Sequence, residues 1–390
     1  MNTLKNITLG FVTGRGVYIG ENIWTEAGLS RLIDILGKSY NVVLAASSYP
    51  EKKPHFDCEV NLKKKDFIAL PFMPTIAGGF FRVSSCLKAI REVERKSDIM
   101  LVQLPFPSPI VLFGTKKPVL YHICADTKTL VNSTYGFIRY WYKHWGAEIF
   151  DAMQKILVNK SNARIITNGS AIFKRYKVCG NNVVSSSIFN REIMSVKRKR
   201  KDKTFRILFV SYLRYEKGAD ILLEAFEKVS KIIPDVELEI IGPKNVIEKG
   251  VDKTLREKLD LLLKKNLKIR LSRYVAFGKE LFQCYADADV FVLPTRSEGT
   301  PRVLVEARAF GCPVIASNVG GIPDSVENEV DGLLIPKDDV NALANAIIRL
   351  KNEKTLREKL IKNGIKRARN TTVEAFVKNM IEEIEILLNK

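Results

Sequence analysis

The sequence predicts an α/β protein built from two doubly wound parallel sheets, and three observations carry that expectation. Its 390 residues exceed one ordinary domain and suit two of roughly 200 residues each. Short β-branched apolar runs alternate with stretches whose apolar residues recur at helical spacing, and the series occurs twice. Between the two series lies a basic, polar stretch over residues 190–204, after which an apolar strand restarts. With 46% hydrophobic and 27% charged residues, the chain is globular and able to bury sizeable cores.

The elements follow in order. Residues 7–13 read as a first strand, 14–20 as a glycine-rich turn, 22–36 as a helix and 41–46 as the next strand. Val83, Cys86, Leu87, Ile90 and Val93 fall at helical spacing ahead of strands at 99–103, 119–123 and 163–167. In the second half, strands are expected at 205–211, 236–241, 268–271, 290–293 and 314–316, with helices at 219–232 and 251–264. Residues 373–388 carry Phe376, Met380, Ile381, Ile384 and Leu387 and read as an amphipathic helix. The expected domains are residues 1–195 and 205–370, with a terminal helical segment at 371–390.

Charge is uneven. The formal net charge is +20, and residues 1–200 hold 30 Lys+Arg against 14 Asp+Glu, while residues 201–390 hold 33 against 29. A basic first half attracts nucleic acid, anionic lipid or an acidic substrate. No helix-turn-helix, RNA-recognition or zinc pattern accompanies the charge, which argues against a nucleic-acid partner. The two longest uncharged runs, residues 67–81 and 99–115, are broken by prolines and do not read as membrane-spanning helices. Six cysteines lie scattered without a Cys-x-x-Cys pair, and no secretory signal is visible. The expected compartment is therefore a reducing cytosol.

One run carries more chemistry than any other: Glu298 and Glu306 stand eight positions apart in the stretch that follows the strand at 290–293. Thr300 is a candidate N-cap, Pro301 suits a first helical position, and Gly311 with Pro313 marks the far end. One carboxylate then lies in a loop and the other inside a helix. The helix N-terminus between them offers unpaired N–H groups and a positive dipole end, a seat for phosphate.

This arrangement resembles the E-x7-E motif of retaining glycosyltransferases of the GT-B fold, family four or group 1. The resemblance implies two Rossmann-like domains facing across a cleft, the second binding the donor and the first the acceptor, with the terminal helix crossing back onto the first. It implies that Glu298 holds hydroxyls of the donor sugar, that Glu306 holds the ribose, and that the backbone of Gly299 and Thr300 lies near the donor. Residues 211–218, Ser-Tyr-Leu-Arg-Tyr-Glu-Lys-Gly, resemble the family's G-R-L-x-x-E-K-G element. By that likeness Lys217, with Arg214 in place of the usual arginine, neutralises the departing diphosphate, as suits cations at the carboxyl end of a parallel strand.

Two further sites follow from the same resemblance. The spacing of Gly14, Gly16 and Gly20 departs from the dinucleotide pattern, and the second strand ends in Ala45-Ala46-Ser47-Ser48 without a ribose-binding acid. Under the GT-B likeness Gly16 approaches the diphosphate or acceptor. A cleft histidine of the family corresponds to His122, or by an alternative alignment to Cys124; a satisfied core histidine is the competing reading. Asp287-Ala288-Asp289 spells the D-x-D of metal-dependent GT-A enzymes, but it precedes a strand as in Y-A-x-A-D-V-F-V-L-P runs of GT-B chains. No metal or other cofactor is expected.

The resemblance implies transfer of a hexose from a nucleoside diphosphate sugar with retention, leaving-group charge being held by preorganised cations. Domain closure over the donor would exclude water. Tyr135, Phe137, Tyr140, Trp141, Tyr142 and Trp145, interleaved with Arg139, Lys143 and His144, suggest a helix lying on an anionic membrane surface, against the alternative of a buried helix. The expected protein is a cytoplasmic enzyme, peripheral at the inner membrane face, acting on a glycan or lipid-linked acceptor in polysaccharide or glycolipid assembly. A GT-B sugar-nucleotide epimerase or phosphorylase is the alternative.

Overall fold

The computed structural model describes residues 6–72, 82–106, 108–128, 131, 137–176, 178–211, 213–242, 253–272 and 274–389. Side chains of residues 137–142 and 253 lie outside that description, as do Tyr135, Lys177, Tyr212 and the first two residues of the helix expected from 251. The chain divides into two compact units, Met1–Val183 with Val373–Lys390, and Val184–Thr372.

The first unit begins with β1 (Thr8–Ile19), β2 (Ile23–Thr25), α1 (Ala27–Ser39), β3 (Asn41–Tyr49), β4 (Cys58–Glu59), β5 (Phe67–Leu70) and α2 (Val83–Lys96). It continues with β6 (Ile99–Leu104), β7 (Val119–Ile123), α3 (Phe137–Val158), β8 (Ala163–Asn168), α4 (Ser170–Tyr176) and β9 (Gly180–Val183). Strands β5, β3, β1, β6, β7, β8 and β9 pair in parallel in that order. The apolar runs are strands because both faces are covered: Val12, Val102, Tyr121 and Ile165 pack with Cys86, Ile90 and Val93 of α2 in one buried cluster.

The glycine-rich turn expected at residues 14–20 is a strand instead. After a register shift between Val12 and Gly16, β1 continues to Ile19 and pairs antiparallel with β2, setting Tyr18 opposite Trp24. Because residues 23–25 are drawn into that pairing, the helix expected from residue 22 starts at Ala27.

The second unit runs β10 (Phe205–Val210), α5 (Ala219–Ile232), β11 (Val236–Ile241), α6 (Lys253–Lys264), β12 (Ile269–Ser272), α7 (Lys279–Asp287) and β13 (Val290–Leu293). There follow α8 (Arg302–Ala309), β14 (Val314–Ser317), α9 (Ile322–Ser325), β15 (Leu333–Ile335), α10 (Val340–Asn352) and α11 (Lys354–Asn370). Its sheet is parallel throughout, ordered β12, β11, β10, β13, β14, β15. Ile207, Phe209, Leu238, Val290 and Val292 of the sheet share one core with Leu222 and Phe226 of α5, Leu343 and Ile347 of α10, and Tyr285 and Phe310. Each such side chain, fully buried, contributes about 1.5–3 kcal/mol.

The last helix, α12 (Val373–Leu388), belongs to the first unit, where it packs on α1 and β8 and its Glu383 carboxylate accepts from Arg164 Nε at 2.5 Å. At the other end of the second unit the division falls ahead of the basic stretch. Residues 184–187 fold against the second unit, and the basic stretch is tied down rather than free. Arg198 donates to Asp289 Oδ1 at 2.8 Å, and the Lys199 and Arg200 amides donate to Asp287 Oδ1 at 2.7 and 3.1 Å. Asp289 Oδ2 also accepts from the Arg206 amide at 2.8 Å. The D-x-D carboxylates thus hold the stretch of chain that enters the second sheet.

Candidate functional site

The site forms at the carboxyl edge of the second sheet, where open parallel sheets present their ligand-binding crevices. Beyond β10 the chain turns through a 3-10 turn, Tyr215–Lys217, and Gly218 enters α5 with φ +69°. A Cβ on Gly218 would stand 1.8 Å from the Pro294 carbonyl oxygen, so only glycine lets this turn lie on the end of β13. Gly320, at φ +56°, is pressed in the same way against the Glu298 carbonyl, with a Cβ-to-oxygen distance of 1.8 Å. The Gly321 amide donates to that carbonyl at 3.3 Å. Loops following β10, β13 and β14 therefore converge on Glu298.

At this convergence Lys217 Nζ donates to Glu298 Oε1 in an ion pair, both side chains remaining partly exposed. Glu298 is in a loop and Glu306 inside α8, as the motif suggests, but they occupy different environments. Glu306 is only 5% exposed. Its Oε1 accepts from Ser187 Oγ at 2.5 Å and its Oε2 from Tyr285 Oη at 2.9 Å. Burial, then the neighbouring Glu306 carboxylate, holds the Tyr285 phenol protonated well above its ordinary range.

Thr300 does not cap α8. Pro301 occupies the N-cap position and Arg302 is the first helical residue. The Thr300 hydroxyl instead accepts from the Ser185 amide at 2.9 Å, while Ser185 Oγ donates to the Thr300 carbonyl at 2.5 Å. Ser185 and Ser187 thus fasten the segment after β9 along the loop and helix that carry both glutamates. Gly299 is buried beside them. Arg214 is the most exposed of the expected cations, and its Nε pairs with Glu216 Oε1 at 2.9 Å, apart from the Lys217–Glu298 pair. Helix α8 itself is anchored by Arg308, whose guanidinium donates to the Ser325 carbonyl at 2.6 Å and to Asp331 Oδ1 at 3.0 Å.

The corresponding edge of the first sheet is organised differently. His122 is 1% exposed and has partners on both ring nitrogens. Thr13 Oγ1 donates to Gln103 Oε1 at 2.7 Å, which turns Gln103 Nε2 toward His122 Nδ1 at 3.2 Å. His122 Nε2 stands 2.9 Å from Asn168 Oδ1, so both ring nitrogens have a side-chain amide partner. Both are thus satisfied within the first unit, as in the core-histidine reading. Cys124, two residues on, is half-buried with Sγ 3.6 Å from His122 Nδ1. Burial raises its thiol pKa, but the His122 ring and the Arg15 guanidinium outweigh that and bring it to about 7.

Gly16 sits in a paired strand under two rings: a Cβ there would stand 2.4 Å from Tyr49 Cε2 and 2.8 Å from Phe56 Cζ. Its small size serves packing. Residues that hold the glutamates or their loop and that the sequence did not single out are Ser185, Ser187, Tyr285 and Arg296. The serines carried a signal, since three consecutive hydroxyls, 185–187, interrupt an otherwise apolar stretch. Arg296 carried one as well, standing two residues before Glu298 in the same loop.

Comparison with known proteins follows the same division. Residues 190–367 match the family described as glycosyl transferases group 1. The capsular polysaccharide biosynthesis glycosyltransferase CapM of Staphylococcus aureus is 29% identical over 289 residues, 72% of each chain. The UDP-Gal:alpha-D-GlcNAc-diphosphoundecaprenol alpha-1,3-galactosyltransferase of Escherichia coli is 27% identical over 52% of this chain and 49% of its own. Among solved structures, sucrose-phosphate synthase of Thermosynechococcus elongatus superposes with a TM-score of 0.77 at 19% identity, covering 98% of this chain and 99% of its own. Anabaena HepE in complex with UDP-glucose superposes at 0.71 and 16% identity, covering 97% and 99%. These two likenesses establish the fold, two Rossmann-like units of the GT-B type.

Proposed function

We propose, from the match of residues 190–367 to the group 1 glycosyl transferases, that the chain moves a hexose, with retention, from a nucleoside diphosphate sugar to a glycan or lipid-linked acceptor. The Lys217–Glu298 ion pair at the carboxyl edge of the second sheet carries the proposal. An ammonium for the diphosphate and a carboxylate for sugar hydroxyls stand within one contact of each other, and Glu306, buried in the helix that follows, is assigned to the ribose.

In this mechanism the donor replaces the internal pair. Lys217 turns to the diphosphate, where its charge stabilises the leaving group as the glycosidic bond breaks, and Glu298 accepts hydrogen bonds from the sugar. Glu306, fixed by Ser187 and Tyr285, keeps lone pairs free for ribose hydroxyls. Arg214, on the exposed side of the same turn, adds a second cation when the diphosphate arrives. Charge neutralisation is assigned to these side chains and to the first amides of α8 rather than to a metal. No base from the protein is required if the departing phosphate takes the acceptor's proton, which lies on the same face as the leaving group.

UDP is named in the Anabaena complex and in the Escherichia coli relative, so UDP-sugars head the test. Incubation with labelled UDP-, GDP- and ADP-hexoses and analysis of the products by NMR separates transfer with retained anomeric configuration from epimerisation, phosphorolysis and hydrolysis. Epimerised sugar nucleotide as the sole product would overturn the proposal.

The acceptor side rests on α3. Among the described residues no helix is long and apolar enough to cross a membrane. Yet Trp145, 68% exposed, lies on one face of α3 with the exposed Ile149 and Ile156, in a half of the chain with excess positive charge. Such a face suits the surface of an anionic bilayer that presents a lipid-linked acceptor. Failure to sediment with phosphatidylglycerol vesicles at low salt would remove this part of the proposal.

A further inference from the structure

Arg296 has no part in the mechanism above, yet its guanidinium is held by several partners at that edge. It is 6% exposed. Its guanidinium makes a two-pronged contact with the Asp220 carboxylate, Nη1 to Oδ1 at 2.8 Å and Nη2 to Oδ2 at 2.7 Å, and Nη1 also donates to the Tyr215 carbonyl. Asp338 Oδ1 lies 2.6 Å from Nε as an ion pair, without the alignment of a hydrogen bond. The plane of the guanidinium covers the Tyr215 ring, 3.7 Å from its centroid.

These contacts join three loops of one edge. Tyr215 begins the turn that ends in Lys217, Asp220 is in the first turn of α5, and Asp338 precedes α10. The main chain repeats the connection: the Arg296 amide and the Thr295 hydroxyl both donate to the Glu216 carbonyl, each at 2.9 Å. The carbonyl of the residue before Lys217 is thereby fixed to the loop that carries Glu298, two residues after Arg296.

A buried ion pair gives little net stability over apolar packing, because desolvation offsets the attraction. Geometry is what such a cluster supplies, and a planar fork supplies it better than an ammonium. We propose that Arg296 is a positioning residue for Lys217, holding the turn that carries this ammonium against the Glu298 loop through Asp220, Tyr215 and the Glu216 carbonyl. The proposal rests on the transferase reading in that Lys217 is the cation brought to the donor. Displacement of such a group by an ångström is enough to cost a large part of its effect.

The test reads Lys217 directly. Wild-type protein and the variants Arg296→Met, Arg296→Lys and Asp220→Asn are treated with trace acetic anhydride, and labelling at each lysine is quantified by mass spectrometry. Thermal unfolding and circular dichroism verify that each is folded. Freed from its fixed pairing, Lys217 should be labelled about threefold to tenfold faster in Arg296→Met, with Arg296→Lys intermediate and lysines of the first unit unchanged. UDP, GDP and ADP titrated into the same proteins should show the nucleotide that wild type binds losing about tenfold in affinity in Arg296→Met.

Equal Lys217 labelling in wild type and in a folded variant overturns the proposal, as does acceleration at every lysine, which marks a merely structural role. Should Arg296→Met fail to fold, Asp220→Asn, at a more exposed position, carries the same comparison. Binding of none of the three nucleotides by wild type sinks the donor reading instead, and the labelling still decides the positioning role.

Discussion

At the carboxyl edge of the second sheet an ammonium and a carboxylate face each other in partly exposed loops, while at the same edge of the first sheet a histidine is enclosed by the side-chain amides of Gln103 and Asn168. Both edges are polar and both carry charge; the difference lies in the partners that hold Lys217 and Glu298 on the one and His122 on the other. Lys217 and Glu298 can exchange each other for a ligand of matching charge without exposing an unmet group. His122 would have to abandon Gln103 or Asn168 to touch anything else, leaving a buried donor or acceptor unsatisfied. The comparison teaches that polarity at a strand end does not identify a site; partners that a ligand can replace do.

The largest expected effect breaks or upholds that comparison at once. Lys217→Ala and Glu298→Ala should each lower kcat by about 10²–10³-fold, the usual cost of losing one preorganised electrostatic contact. Thermal stability should hardly move, since a partly exposed pair contributes about 0–1 kcal/mol. Steady-state kinetics beside thermal unfolding separates the two. Near-wild-type turnover in both variants would take the reaction away from this edge.

The first edge should answer in the opposite way. A Cβ at Gly16 would meet Tyr49 and Phe56 at under 3 Å, so Gly16→Ala is expected to cost about 1–3 kcal/mol through overpacking. His122→Leu leaves Gln103 and Asn168 short of a partner and should cost about 1–3 kcal/mol. Chemical denaturation measures both, and turnover per folded molecule should stay within about twofold of wild type, because the losses fall on buried groups. A tenfold loss of kcat in fully folded His122→Leu would restore the histidine to the reaction and erase the contrast.

What was legible followed from how local the cause is. The strand at Val290–Leu293 and the terminal helix Val373–Leu388 have the expected bounds because apolar run length and helical spacing are local properties. The placement of Glu298 in a loop and Glu306 in a helix was readable for the same reason. The glycine stretch misled because β2 and β3 impose pairing on it, and glycines that suit a turn suit close ring packing equally well. Thr300 looked like a cap, and only the arrival of Ser185 from 115 positions away gives its hydroxyl another partner. Tyr285 and Ser187 reach Glu306 across the fold, so no window of sequence contains that triad.

That triad gives a smaller prediction. Tyr285→Phe removes one donor from the Glu306 carboxylate and keeps the ring stacked in the core. The expected loss is about 1 kcal/mol, or roughly fivefold in affinity for UDP, the usual net value of one hydrogen bond. Isothermal titration checks it, with kcat at saturating donor little changed, because Glu306 is assigned to binding. A loss confined to kcat would move Glu306 from the ribose to the reacting sugar.

The smallest effect sharpens the comparison through a thiol rather than through turnover. Cys124 stands beside His122 and Arg15 with its thiol brought to about 7, whereas burial, with Glu239 adding, pushes the Cys284 thiol of the second unit up to about 11. Only the thiolate is alkylated, so the rate at each cysteine rises with pH through its own pKa. Between pH 6 and 8 iodoacetamide should therefore label Cys124 along a titration centred near 7, while Cys284 stays nearly unlabelled until the solution is strongly alkaline. In His122→Leu the loss of the ring should shift the Cys124 midpoint upward, with Arg15 still holding part of the depression. A midpoint unchanged by that substitution would show that the first edge takes its field from Arg15 alone. The enclosed histidine would then serve only to satisfy Gln103 and Asn168.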